Sequence, residues 1–110
     1  MQLKKEIKKE SYAVKIIAEE NGREIGHAYL YLLFNDLHSA PYGLVEDVYV
    51  EEDFRGAGAG TQLAQAVIAE AKARECYKLI ACSRHERVGV HQWYEKMGFK
   101  NYGLEFRMDF

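Results

Sequence analysis

Two neighbouring β-strands are predicted by the alternation of apolar and polar residues in the first third of the chain. Residues 11–20 have strand composition, and residues 24–34 continue as a second strand after Asn21-Gly22, a dipeptide typical of tight hairpin turns. One face of this pair is apolar and is predicted to be buried: Tyr12, Val14, Ile16, Ala28, Leu30, Leu32 and Phe34. The other face of the second strand is also apolar and needs cover: Ile25, Tyr29, Tyr31 and Leu33.

Strand and helix patterns alternate after the loop that contains the only proline. A strand over residues 43–50 leads into a glycine-rich turn and then into a helix that ends near Arg74. That helix has one apolar stripe, formed by Leu63, Ala64, Val67, Ile68 and Ala71. Residues 78–83 predict a short strand.

The two ends of the chain are less sharply patterned. A second helix is predicted from about Val88 to Met97, with Gly98 at its end. Residues 99–110 predict a closing hairpin, whereas residues 1–10 fit one face of a helix or of a strand. The predicted α/β (α+β) order is β-β-β-α-β-α-β(-β). A length of 110 residues allows one domain, spanning residues 1–110.

Charge changes this picture in one region. The chain has 15 basic and 17 acidic residues, a balance that gives no support to nucleic-acid binding. Residues 35–54 contain six acidic side chains and no Lys or Arg. This region either attracts a cationic partner or forms a solvated acidic rim.

Targeting segments and metal-binding patterns are not recognised. The first residues lack the apolar core of a signal peptide, and no apolar run is long enough to span a bilayer. Cys76 and Cys82 lack metal-ligand spacing, and the four histidines form no ligand motif. We therefore expect a cytoplasmic protein with reduced cysteines, no resident metal and no membrane partner.

A glycine-rich turn, Arg55-Gly-Ala-Gly-Ala-Gly60, lies between the strand 43–50 and the first helix. Such a turn presents unpaired backbone N–H groups at the positive end of the helix dipole, where anions and above all phosphates bind. It is neither a dinucleotide fingerprint nor a P-loop, because the required residues are missing. By itself this signal also fits a simple connector.

A second motif adds specificity. The run His91-Gln-Trp-Tyr-Glu-Lys-Met-Gly-Phe99 follows the next predicted strand. With it, the chain resembles the GNAT superfamily of N-acetyltransferases over roughly residues 11–105. Residues 48–60 are similar to that family's acetyl-coenzyme A signature, and residues 93–99 to its C-terminal tyrosine motif.

The resemblance implies a mixed, mostly antiparallel central sheet with two principal helices, and it implies acetyl-CoA as co-substrate. Backbone amides from Arg55 to Thr61 are expected to hold the pyrophosphate: Arg55, Gly56, Ala57, Gly58, Ala59, Gly60 and Thr61. Backbone groups of Val48, Tyr49 and Val50 are expected to line the pantetheine arm. Independently, a side chain at Gly58 or Gly60 is expected to stand between the N–H groups and the phosphate oxygens.

Two catalytic residues are predicted from the same resemblance. Tyr94 matches the family's tyrosine and is expected to protonate the leaving thiolate, although it also fits a helical core stripe. Glu46 is expected to be the base, because some diamine and aminosugar-phosphate acetyltransferases have a similar Glu-Asp pair in this strand. Since successive strand residues point to opposite faces, only Glu46 or Asp47 is expected to address the cleft.

The chain also departs from the family's pattern. Arg87 stands where many members have an asparagine, seven residues before the tyrosine. The usual pair of helices between the first two strands is missing, so the acceptor pocket is either open or built by another subunit. Because this loss leaves Tyr29, Tyr31 and Leu33 uncovered, we expect a homodimer that covers them.

The sequence therefore predicts an N-acetyltransferase that transfers acetyl to a primary amine by direct attack in a ternary complex. The acidic region 35–54 favours a cationic small molecule or a lysine-containing protein as acceptor. The alternative is a non-catalytic module that binds acetyl-CoA as a sensor or assembly subunit.

Overall fold

The computed structural model describes all residues from 1 to 110. Residues 1–80 and residues 81–110 form two compact units. The prediction of a single domain stays a prediction.

Three antiparallel strands form most of the sheet. Strand β1 (Tyr12–Glu20) pairs with β2 (Arg23–Leu33), and β2 pairs with β3 (Tyr42–Val50). Asn21 and Gly22 connect β1 to β2 with φ values of 52° and 78°, as the predicted hairpin turn requires. No helix lies between the first two strands, which confirms the shortened architecture expected from the sequence.

One helix covers one face of this sheet. Helix α1 (Ala59–Ala73) packs against β1, β2 and β3 through Leu63, Ala64, Val67 and Ala71, which are all buried. The opposing residues on the sheet are the even positions of β2, and Ala28, Leu30 and Leu32 are fully buried. Burial of these side chains is the main stabilising contribution to this unit, at roughly 1.5–3 kcal/mol for each large aliphatic side chain.

The remaining elements follow the predicted order. A short 3-10 turn (Glu52–Phe54) precedes the glycine turn, and strand β4 (Leu79–Ala81) and helix α2 (Val88–Lys96) follow α1. The sheet order is β1-β2-β3-β4. Tyr77 N–H donates to Pro41 O at 3.0 Å, and Gly43 N–H donates to Lys78 O at 2.9 Å, where β3 and β4 begin. Neither helix has the length and apolar character that crossing a bilayer requires.

The predicted closing hairpin is not formed. Residues 99–110 contain no strand or helix. Residues 1–10, whose pattern fitted either a helix or a strand, also form neither. Alternation shows only that a segment can become a strand, whereas a strand forms only beside a hydrogen-bonded neighbour. No such neighbour pairs with residues 99–110 in this structure.

Candidate active site

The glycine turn has the backbone geometry of an anion cradle. Gly56 and Gly58 have φ values of 85° and 90°, in the left-handed region that favours glycine. Gly58 is the N-cap of α1, so the turn opens directly onto the positive end of the helix dipole. A Cβ atom at Gly58 would meet nothing within 4 Å. The space that a side chain at Gly58 would occupy is therefore open.

Several amide groups of this turn make no hydrogen bond within the chain. They are the N–H groups of Gly56, Ala57, Gly58, Ala59 and Gly60. Gln62 N–H makes the first helical bond, to Gly58 O at 3.0 Å, as expected one turn into a helix. In contrast, Arg55 N–H donates to Glu52 O at 3.2 Å. The turn from Gly56 to Gly60 therefore presents five donors for an anion, and Thr61 follows it.

Arg55 connects this turn to the end of β3. Its Nε donates to Val50 O at 2.7 Å, and its guanidinium lies 5.5 Å from the centroid of the Tyr49 ring. Val48 and Val50 are half-buried, whereas Tyr49 is exposed. The side chain of Arg55 thus fixes the glycine turn beside the three residues that were predicted to line the pantetheine arm.

A β-bulge corrects the prediction for Glu46 and Asp47. Tyr29 pairs with Glu46 and His27 pairs with Tyr49, so β3 has one residue more than β2 over this stretch. Asp47 has a φ of 52°, which takes the backbone out of the strand conformation. The strict alternation on which the prediction depended is therefore interrupted at this point.

Glu46 and Asp47 both line one shallow depression of about 320 Å³. The depression is lined by Tyr31, Leu33, Leu44, Glu46 and Asp47. Both carboxylates are exposed to solvent, and no Lys or Arg lines the depression. It combines an apolar floor with two negative charges, which suits a cationic group on an organic molecule.

Aromatic rings continue from this depression along the face of β2 that α1 does not cover. Tyr29 and Tyr31 stack with centroids 6.1 Å apart, and His27 lies 5.7 Å from both Tyr29 and Tyr49. The Lys15 ammonium lies 5.9 Å from the Tyr29 centroid and pairs with Glu24 at 3.3 Å. This face is therefore aromatic, and Lys15, the cation beside Tyr29, is paired with a carboxylate.

Tyr94 is held in the second unit by aromatic packing. It lies in α2, is half-buried, and its ring centroid is 5.4 Å from those of Trp93 and Phe99. Gly98, with a φ of 103°, ends the helix and lets Phe99 turn back, so that Phe99 N–H donates to Tyr94 O at 3.1 Å. These contacts limit the orientations open to the tyrosine ring.

The other candidates have simpler surroundings. Arg87 is the exposed N-cap residue of α2, with no ion pair from its guanidinium. His91 shares a hydrogen bond at 2.7 Å with the backbone carbonyl of Arg84. Neither cysteine forms a disulfide, and burial raises the pKa of the Cys76 thiol, which makes it a poor nucleophile.

Sequence reasoning missed how Glu46 and Asp47 come together. Tyr31 and Leu33 were recognised only as a surface in need of cover, and Leu44 only as part of a strand. A signal for the bulge does exist, because Asp is among the few non-glycine residues that tolerate a left-handed backbone. That signal is too common in loops to locate a bulge without the paired strand.

Known proteins similar to this chain are acetyltransferases. The chain is 34% identical over 67 residues to a glucosamine 6-phosphate N-acetyltransferase of Trypanosoma brucei brucei, covering 61% of this chain and 44% of that protein. It is 32% identical over 91 residues to an aminoglycoside N(6')-acetyltransferase type 1 of Stenotrophomonas maltophilia, covering 80% of this chain and 60% of that protein. The chain therefore spans about half the length of these two relatives.

Structural comparison agrees with these similarities. The crystal structure of a Trypanosoma brucei acetyltransferase superposes with a TM-score of 0.78 at 29% identity, over 89% of this chain and 69% of that chain. The family model described as the acetyltransferase (GNAT) family matches residues 2–99. The sheet order, the glycine turn at the start of α1 and this match over most of the chain together show its family. The chain belongs to the GNAT acetyltransferase family.

Proposed function

We propose that this protein is an acetyl-CoA-dependent N-acetyltransferase acting on a primary amine. The observation that carries the proposal is the glycine turn, where five amides without acceptors lie at the start of α1 in a chain of the GNAT family. These amides are suited to bind the pyrophosphate of coenzyme A, and the residues at the end of β3 to align its pantetheine arm. When bound, the co-substrate supplies an activated acetyl thioester.

The acceptor amine must lose a proton before it attacks. A lysine-like amine has a pKa of about 10.4, so only about one molecule in 10³ to 10⁴ is neutral at pH 7. Glu46 accepts this proton, directly or through water, and Asp47 on the same depression adds a second negative charge. The amine then attacks the thioester carbonyl carbon, the C–S bond breaks, and the Tyr94 hydroxyl donates a proton to the leaving sulfur. The nitrogen loses its second proton as the amide forms, and this proton restores the Tyr94 hydroxyl.

A cationic small molecule is the acceptor class that this depression favours. Its two carboxylates and the absence of Lys and Arg attract ammonium groups and disfavour phosphates. The two named relatives act on aminosugar substrates, one of them phosphorylated. Of these two types of substrate, an aminosugar with several amines suits the negative charge of the depression better than a phosphorylated one. A lysine side chain of a protein is the second candidate.

An acceptor screen that follows release of free thiol from acetyl-CoA tests this function. We expect polyamines and multiply aminated sugars to release thiol faster than glucosamine 6-phosphate, because the depression repels a phosphate. The difference is expected to shrink at high ionic strength. Acetyl-CoA binding without thiol release for any amine or lysine peptide would favour the non-catalytic sensor or assembly module.

Substituting Gly58 by alanine is expected to weaken acetyl-CoA binding about tenfold or more, because the new Cβ projects into the open space before the unpaired amides. Gly22→Ala is the matched control, since Gly22 also has a positive φ (78°) and an open surrounding. Both variants should lose about 1 kcal/mol of stability. Isothermal titration should show the affinity loss for Gly58→Ala alone, and equal affinities would contradict the cradle.

We also propose a homodimer in which the second copy covers Tyr29, Tyr31 and Leu33. A cytoplasmic location is likewise proposed. In support of the dimer, these side chains lie on the face of β2 that α1 does not cover. A second copy on this face would also enclose the depression. Sedimentation of the wild-type protein at micromolar concentration tests whether the dimer forms.

A further inference from the structure

A strand-like segment without a partner ends the chain. From residue 102 to residue 110, apolar and other residues alternate without a break. The apolar side chains are all exposed, with at least 69% of each accessible to solvent: Tyr102, Leu104, Phe106, Met108 and Phe110. Folded soluble proteins rarely expose so many large apolar side chains in one line unless another surface covers them.

One side-chain contact in this segment fits an extended chain. Arg107 Nε donates to Asp109 Oδ1 at 2.8 Å, so two residues that are two positions apart point to the same side. This spacing is that of an extended chain, in which every second residue shares a face. Residues 102–110 therefore have the side-chain pattern of an amphipathic strand, although no strand is formed there.

We propose that residues 102–110 pair antiparallel with the same segment of a second copy, with the two-fold axis at Phe106. In this register Glu105 lies opposite Arg107 of the second copy, and the symmetry creates the same pair again. Directly opposed opposite charges stabilise a β-ladder, whereas like charges destabilise it. Asp109 lies opposite Gly103, which leaves room for its ion pair with Arg107 in the same chain.

The apolar face is matched in the same register. Each facing pair takes one residue from each copy, and every residue in these pairs is apolar. The pairs are Tyr102 with Phe110, Leu104 with Met108, and Phe106 with Phe106 of the second copy. Directly opposed side chains have Cβ atoms about 4.5–5.5 Å apart, so these pairs contact one another. Both faces thus favour the same alignment over nine residues.

Other alignments are less favourable. An axis at Arg107 places this arginine against itself and Glu105 against Asp109, and an axis at Glu105 opposes two glutamates. Parallel pairing in register stacks every charge on its own copy. A second copy is the favoured occupant because this segment complements itself.

A two-stranded ribbon is only marginally stable in water, so we expect reversible, concentration-dependent association. Charge reversal tests it by sedimentation. Glu105→Lys alone and Arg107→Glu alone should each weaken the dimer about tenfold, since both symmetric contacts become repulsive. The double variant Glu105→Lys/Arg107→Glu restores opposite charges and should restore the dimer.

A control variant and a thermal melt accompany these measurements. Glu86→Lys changes an exposed acid of the same unit outside the segment and should leave association unchanged. Because the substituted side chains are exposed, the melting temperatures should agree with the wild type at a dilution where every variant is monomeric. A monomeric wild type, or a dimer that neither single reversal weakens, would overturn the proposal. The second result would point to the uncovered face of β2 instead.

Cysteine pairs test the register itself. In a Cys82→Ser background, which removes the exposed native thiol, Phe106→Cys should form a disulfide-linked dimer under mild oxidation. A mixture of Leu104→Cys and Met108→Cys should cross-link, whereas either of these two variants alone should not. Cross-linking of Leu104→Cys alone with none at Phe106→Cys would show a different register and overturn the alignment.

Discussion

Replacing Tyr94 by phenylalanine is expected to lower kcat by about 10²–10³-fold, the range typical of a lost general acid. The substitution removes only the hydroxyl, and the ring keeps its contacts with Trp93 and Phe99. Affinity for acetyl-CoA should stay within about twofold, because the proposed binding groups belong to the glycine turn. Steady-state thiol release and isothermal titration measure the two quantities.

The matched control for this variant is Tyr102→Phe. Tyr102 is almost fully exposed and is placed in no step of the reaction, so its replacement should leave kcat unchanged. A substrate with a better thiol leaving group should restore part of the rate of Tyr94→Phe, because such a group needs less protonation. An unchanged kcat in Tyr94→Phe would show that the tyrosine only packs α2.

Glu46→Gln is expected to lower kcat/KM for the amine by about 10²-fold or more at pH 7. The amide keeps the shape of the side chain but cannot accept the ammonium proton. The variant then depends on amine that is already neutral, and this fraction rises about tenfold per pH unit below the amine pKa. Its deficit relative to the wild type should therefore shrink as the pH rises from 7 to 9.

Asp47→Asn separates the two carboxylates, which line the same depression. It removes the same charge as Glu46→Gln, so both variants should raise KM for a cationic acceptor. Only the residue that acts as base should show the pH-dependent recovery of rate. If Asp47→Asn shows it and Glu46→Gln does not, the base is Asp47.

Local chemistry determined much of the fold before any tertiary contact was known. Asn21-Gly22 determined the hairpin turn, and Gly98 determined where α2 ends. The apolar stripe that includes Leu63 and Val67 determined which face of α1 packs on the sheet. These features depend on residues close in sequence, whose backbone preferences act within one turn or one strand. The glycine turn and the tyrosine motif were visible for the same reason.

Tertiary structure alone decided the features that depend on a neighbouring strand. The bulge at Asp47 exists because β2 and β3 pair with different numbers of residues, and it brings both carboxylates to one depression. Residues 99–110 have the alternation of strands but form none, because a strand needs hydrogen-bonding partners that its own sequence cannot supply. Sequence thus fixed which backbone each short segment prefers, and long-range pairing decided which side chains meet.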